Sequence, residues 1–308
     1  MLSVRHLLIP MAASTAPGCE QALQSLRLPQ LERLLSRLSL THTDTGQETD
    51  YAPPHERALA RALGLPERAT PWAAWRQRLT GSGCAWLTPC QWQIGADHVT
   101  LMHPDRLGLT EADSRALMDI VAPWLAQDGH TLTWLAPTRW LVQGPLFAEL
   151  ECAPLDRVMG RDVRVWMPRG PQSMLVQRLN SELQMLLYTH PWSEARAAQG
   201  LAPVNAFWVH GAGALAAMPA EVPEPEMPMA LYDAALRQDW AAWAAAWQAL
   251  DRGAVGELLD HTAHGGTAAL TLCGERGALT FSNAHRGLGE KITSIFRRKR
   301  FSDLREQL

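Results

Sequence analysis

The sequence predicts an α/β protein, a mixed sheet flanked by helices, with an inserted α+β region. Three observations carry this. Apolar runs of strand length alternate with runs of helical period, which favours α/β layering. The run Ala268 to Cys273 is almost continuously apolar, as in a strand of parallel-sheet type. Between residues 85 and 170 short strands are instead separated by short turns, as in an α+β layer. A chain of 308 residues that is 47% hydrophobic and 19% charged can bury a large core, which excludes intrinsic disorder.

Taken in order, Leu7 to Ile9 is a short buried strand. A helix follows through Leu26, Leu31, Leu34, Leu35 and Leu38, with Pro29 near its first turn. Thr41 to Pro54 is polar, carries Gly46, Pro53 and Pro54, and reads as a loop. Helical runs then pass through Leu59 and Leu63 and from Trp72 to Leu79. Trp86, Trp92, Ile94 and the run Val99 to Met102 suggest short strands, and Thr110 to Asp113 is a capping box opening a helix. Thr131 to Leu135 and Arg139 to Gly144 form a strand pair around Ala136, Pro137 and Thr138.

Gln172 to Thr189 is a strong helix with Leu175, Leu179, Leu183, Leu186 and Leu187 on one face. Phe207 to Val209 is a core strand leading into His210, Gly211, Ala212 and Gly213. The acidic, proline-rich Met218 to Pro228 is a loop or linker. Trp240, Trp243 and Trp247, with Leu236 and Leu250, define an amphipathic helix whose aromatic face packs into the core. After Ala268 to Cys273 come a Gly-Glu-Arg-Gly turn and a short run from Ala278 to Phe281. The segments expected are 1–84 and 171–287 as two parts of the α/β core, 85–170 as the insertion and 288–308 as a basic tail.

The formal net charge of −3 gives no global reason to expect nucleic acid or an anionic membrane as partner. The cysteines Cys19, Cys84, Cys90, Cys152 and Cys273 are odd in number and contain no Cys-x-x-Cys pair, which fits reduced thiols in a cytosol. The apolar run His6 to Pro10 is too short for a signal segment, and no run reaches membrane-spanning length. A cytoplasmic location is therefore expected.

The series His190-Pro191, Arg196, Gly200-Leu201, Pro203-Val204-Asn205 and Gly211-Ala212-Gly213 resembles a stretch of the archaeal-type cofactor-independent phosphoglycerate mutases of the alkaline phosphatase superfamily. Leu7 to Met11 with Leu28 to Leu34 resembles the family's first strand and proline-led helix. The resemblance implies an alkaline-phosphatase-like sheet and phosphoryl transfer on two divalent cations. In the family an Asp-Gly ligand pair follows the first strand and Thr-Ala-Asp-His closes the last. Here Met11-Ala12-Ala13 and Leu272-Cys273-Gly274-Glu275 stand in those places. A thioether and a methyl cannot replace a carboxylate, and without cations a hydroxyl nucleophile keeps its ordinary high pKa. The series Leu179 to Leu187 and Gly160 to Asp162 also resembles proteobacterial regulatory proteins of the Rpf-E type, a resemblance that implies regulation and supplies no catalytic residues.

The expected function is thus a non-catalytic regulatory or binding protein with no catalytic residues and no cofactor, acting through a protein partner. Asn180, Gln184, His190, Arg196 and Asn205 make a candidate polar pocket for an anion or partner. Arg297, Arg298, Lys299, Arg300 and Phe301 make a candidate partner-binding tail, with nucleic-acid contact and a docked terminal helix as competing readings. One alternative function is a nucleic-acid-associated accessory protein working through that basic tail; the other is a metal-dependent phosphoglycerate mutase or phosphatase with relocated ligands. It would hold Mn or Zn on Asp260, His261 and His264, with Ser14 as nucleophile, whereas the bland reading makes that cluster a polar helix end. Ser14 and Thr15 otherwise read as loop or cap residues.

Overall fold

The computed structural model describes residues 4–284 and 301–308. The strands are β1 (Arg5–Ile9), β2 (Ser39–Thr45), β3 (Cys84–Cys90), β4 (Trp92–Ile94), β5 (Val99–Leu101), β6 (Thr131–Ala136), β7 (Arg139–Gln143), β8 (Ala206–Gly213), β9 (Ala268–Cys273) and β10 (Gly277–Ser282). The helices are α1 (Pro17–Ser25), α2 (Pro29–Arg37), α3 (Pro54–Ala62), α4 (Trp72–Arg76), α5 (Glu111–Gln127), α6 (Leu155–Val158), α7 (Ser173–Tyr188), α8 (Pro191–Ala198), α9 (Ala230–Leu236), α10 (Trp240–Leu250), α11 (Gly256–Ala263) and α12 (Phe301–Leu304).

They form two units: one of residues 1–67 and 220–308, the other of residues 68–219. The first is built on a mixed sheet of order β1-β9-β10-β2. β1 runs parallel to β9, with Leu8 beside Thr271, and the other two pairings are antiparallel. Leu7, Ile9, Leu270, Leu272, Leu279 and Phe281 share one core with Leu31, Leu34, Trp243, Trp247 and Leu258, so α2, α10 and α11 cover that face. α3 packs against β1, β9 and β10. The fold is therefore α/β, with a mixed sheet flanked by helices. Trp243 and Trp247 are wholly buried; each removes roughly 200 Å² from water, a gross gain of about 5 kcal/mol.

Unit 68–219 carries an antiparallel sheet of order β6-β7-β3-β8 and the β4–β5 hairpin. Its core joins Leu117, Val121 and Leu125 of α5 and Val176, Leu179, Leu183 and Leu187 of α7 to Trp140, Phe207 and Val209. The capping box forms: Thr110 Oγ1 accepts from the Asp113 amide at 3.1 Å, and the Asp113 carboxylate accepts from the Thr110 amide. One turn in, the buried Ser114 hydroxyl accepts from the indoles of Trp134 and Trp140 and donates to the Pro137 carbonyl, which ties α5 to the β6–β7 turn.

Three expectations need correction. Residues 39–45, expected within a loop for the most part, form β2, an edge strand against β10. Its side chains are largely exposed, so the apolar alternation that marks a half-buried strand is missing. On α7, Leu175 is 47% exposed and Val176 takes the buried position. Finally, helix α7 and strand β8 lie in unit 68–219, not in the α/β core, because β8 pairs with β3 along the strand from Thr88–Trp208 to Cys90–Ala206. The observed divisions thus fall near residues 67 and 219 where the sequence suggested 84 and 170. Among the described residues no helix is long and apolar enough to cross a membrane.

Candidate functional site

In parallel α/β sheets ligands collect beyond the carboxyl ends of the strands, and here those ends are Ile9 and Cys273. The chain leaves β1 through Met11, whose φ of 51° is left-handed. It is then gripped from three sides. The Trp243 indole donates to the Met11 carbonyl at 2.9 Å, the Trp247 indole donates to the Ala12 carbonyl at 3.1 Å, and the Ala12 amide donates to the Cys273 carbonyl at 2.7 Å.

The hydroxyls next in line face Glu275. Ser14 Oγ donates to Glu275 Oε1 at 2.8 Å and accepts from the Ala16 amide, while the Thr15 amide and hydroxyl donate to Glu275 Oε2 at 3.0 and 2.7 Å. Glu275 thus accepts three hydrogen bonds from the loop that follows β1. Segment 301–308 closes the place. Phe301 rests edge-on against Trp247 with ring centroids 5.2 Å apart, and the Leu308 carbonyl accepts from the amides of Arg276 and Gly277. The space left, about 140 Å³, is lined by Ala13, Ser14, Thr15, Glu20, Glu275 and Arg305 among others. Small-molecule sites usually need about 300 Å³ or more. Two divalent cations do not fit this donor set: the lining offers the side-chain carboxylates of Glu20 and Glu275, the latter accepting from Ser14 and Thr15, with Arg305 beside them and no imidazole, where several anionic and imidazole ligands would be required.

The alternative metal cluster is drawn into the end of α11. His264 Nδ1 lies 2.8 Å from the Asp260 carbonyl and His261 Nε2 3.2 Å from the Thr267 carbonyl. Among the described residues no three His, Cys, Asp or Glu side chains come together as a metal-holding group.

The candidate polar pocket residues make main-chain contacts. The Asn180 side chain accepts from the Phe207 amide, and Asn205 both accepts from the Trp92 amide and donates to its carbonyl. His190 caps α8 by accepting from the Trp192 amide at 3.1 Å. Arg196, buried, donates to the carbonyls of Leu107 and Ala202, and burial lowers its pKa. Gln184 is half-buried. The glycines of the same series are structural too: Gly211 and Gly213 have φ of 60° and 144°, and a Cβ on them would fall 2.8 Å from Trp86 and 2.7 Å from Pro71. Of the candidate tail, Arg297, Arg298, Lys299 and Arg300 lie outside the described residues. Phe301 is buried in the core, so it presents no free aromatic to a partner.

A feature not anticipated from sequence is a groove of about 620 Å³ in the first unit, lined by His6, Thr41, His42, Arg61, Glu226 and Thr280 among others. Its polar floor runs from His6 Nε2 to Thr271 Oγ1 at 2.9 Å and on to Thr280 Oγ1 at 3.0 Å. Burial holds the His6 pKa down to about 4, so the ring is neutral near pH 7. Arg5 and Arg61 are answered by Glu226, Glu257, Glu67 and Asp44. The available signal was faint: Thr271 is the one hydroxyl in an otherwise apolar strand, and His6 was masked by the apolar run after it.

No protein-family model matches the chain. Over 68 residues, 22% of its length, it is 31% identical to the 2,3-bisphosphoglycerate-independent phosphoglycerate mutase of Methanothrix thermoacetophila, and the match spans only 17% of that protein. The cofactor-independent phosphoglycerate mutase of Thermoplasma acidophilum is 13% identical, with 94% of this chain and 95% of that one covered at a TM-score of 0.40. The PH0037 protein of Pyrococcus horikoshii is 12% identical, with 95% and 93% covered at a TM-score of 0.44. The chain is thus distantly similar to the cofactor-independent phosphoglycerate mutases.

Proposed function

We propose that this chain is a non-catalytic regulatory or binding protein on a phosphoglycerate mutase-like scaffold, acting through a protein partner in the cytoplasm. One observation carries the reading. At the carboxyl ends of β1 and β9, the hydroxyls of Ser14 and Thr15 are tied to Glu275, and the main chain of Met11 and Ala12 is tied to two buried indoles. That arrangement makes a clamp: Glu275 accepts three hydrogen bonds from Ser14 and Thr15 and so holds the loop. The short match to a mutase supports common descent, and the likeness to Rpf-E type proteins supports a regulatory role.

Turnover separates this reading from a mutase with relocated ligands. The purified full-length chain, assayed with 3-phosphoglycerate and a generic aryl phosphate in the presence of Mn²⁺ or Zn²⁺, is expected to give no rate above the metal-only control. Turnover that falls at least about 100-fold in Ser14→Ala, the loss expected of a nucleophile, would make the chain an enzyme.

A further inference from the structure

α7 is apolar on two opposite faces. Val176, Leu179, Leu183 and Leu187 fill the core of unit 68–219, as an amphipathic helix requires. On the other side Met174 is 72%, Met185 71% and Tyr188 82% exposed. At 3.6 residues per turn these three lie within one narrow stripe, because separations of 11 and 3 residues return to nearly the same side. Leu175, 47% exposed, flanks it. Isolated exposed apolar residues are ordinary, but a row of them on one helix marks a contact surface.

The surroundings give the row the composition of an interface core. Arg178 lies in the stripe and reaches Glu182 at 3.2 Å and Asp128 at 3.8 Å. The second contact brings the end of α5 alongside. Trp124, four residues before Asp128 and so on the same side of α5, is 40% exposed. Met, Tyr, Trp and Arg are the residues enriched where proteins meet.

We infer that this face binds a second copy of the chain through α7 packed antiparallel on α7 about a two-fold axis. The charges choose the occupant. A two-fold interface places the same patch on both sides, so it requires a patch complementary to itself. With the axis at the level of Asn180, Arg178 of each copy stands opposite Glu182 of the other, and Leu175 stands opposite Met185. A patch of one sign would repel its own copy, whereas this one carries both signs in the order that antiparallel pairing needs. A single 16-residue helix with a flanking tryptophan offers an area at the low end of specific interfaces, so the dimer is reversible, with a Kd on the order of micromolar.

Sedimentation velocity of the full-length chain from about 1 to about 100 μM spans that range. The expected result is a shift from monomer to dimer with rising concentration. Met185→Asp weakens association at least tenfold, while Ile94→Asp, at an apolar side chain exposed elsewhere on the same unit, leaves it unchanged. Arg178→Glu and Glu182→Arg are each monomeric, yet an equimolar mixture of the two restores the dimer, because both cross-pairs are again opposite in sign. Circular dichroism checks that each variant is folded; one that fails is replaced by Tyr188→Ser. A wild-type chain that stays monomeric, a dimer indifferent to Met185→Asp, or a mixture that does not associate overturns the proposal and assigns the face to another partner or to none.

Discussion

At the scale of single residues, two histidines turn inward onto threonine hydroxyls, His6 onto Thr271 and His210 onto Thr88. His210 is buried on β8, with Nε2 3.1 Å from Thr88 Oγ1, and burial followed by the Arg139 charge lowers its pKa to about 3. His6 sits near 4 for the first of these reasons. The unfolded chain takes up these protons near pH 6.5, the folded chain only near 3 and 4, so between those values the unfolded state holds more protons. Stability is therefore complete above about pH 6.5 and declines as pH falls toward 4, by about 1 kcal/mol per pH unit for each histidine. Urea unfolding at pH 7 and pH 5 should show this loss, and His210→Gln should make the pH dependence shallower. An unchanged slope in that variant would mean that His210 titrates normally. Arg196, Asn180 and Asn205 are polar side chains tied to main chain. As a string of residue types, polar groups with main-chain partners and polar groups awaiting a ligand look alike; only the fold tells them apart.

At the scale of elements, the strands and helices whose apolar pattern meets a core were legible: β1, β9, α5, α10 and the β6–β7 hairpin stand where period and turn residues placed them, whereas the helix expected through Leu26 begins only at Pro29, as α2, with α1 ending before Leu26. β2 was not, because an edge strand made of Ser, Leu, Thr, His and Asp leaves no buried alternation to read. α7 was legible as a helix but ambiguous in phase, since apolar residues on both faces allow more than one inward stripe. Its orientation has a measurable consequence. Leu183→Ala should cost about 2 to 5 kcal/mol by leaving a cavity, whereas Leu175→Ala should cost less than about 0.5 kcal/mol, as at other exposed positions. Equal losses in chemical denaturation would place the helix in a different rotation.

At the scale of the whole molecule, the α/β class was legible and the division into units was not. Nothing local announces that Leu87 pairs with both Trp140 and Val209, yet those long-range pairings hold unit 68–219 together. At the candidate site the sequence offered Met11, Ala12 and Ala13 where the resemblance led one to expect a ligand pair. The contacts that hold this place became visible only in three dimensions, as the Trp243 and Trp247 grip, the Glu275 clamp and the segment 301–308 laid over Gly274. The proposed function requires that the carboxyl ends of β1 and β9 do not hold two cations. Calorimetric titration of the metal-stripped full-length chain with Mn²⁺, and separately with Zn²⁺, tests it most directly. No saturable binding beyond that of a Glu275→Gln, Ser14→Ala double variant is the result expected. Two equivalents bound tightly by the wild-type chain and lost in the double variant would contradict it.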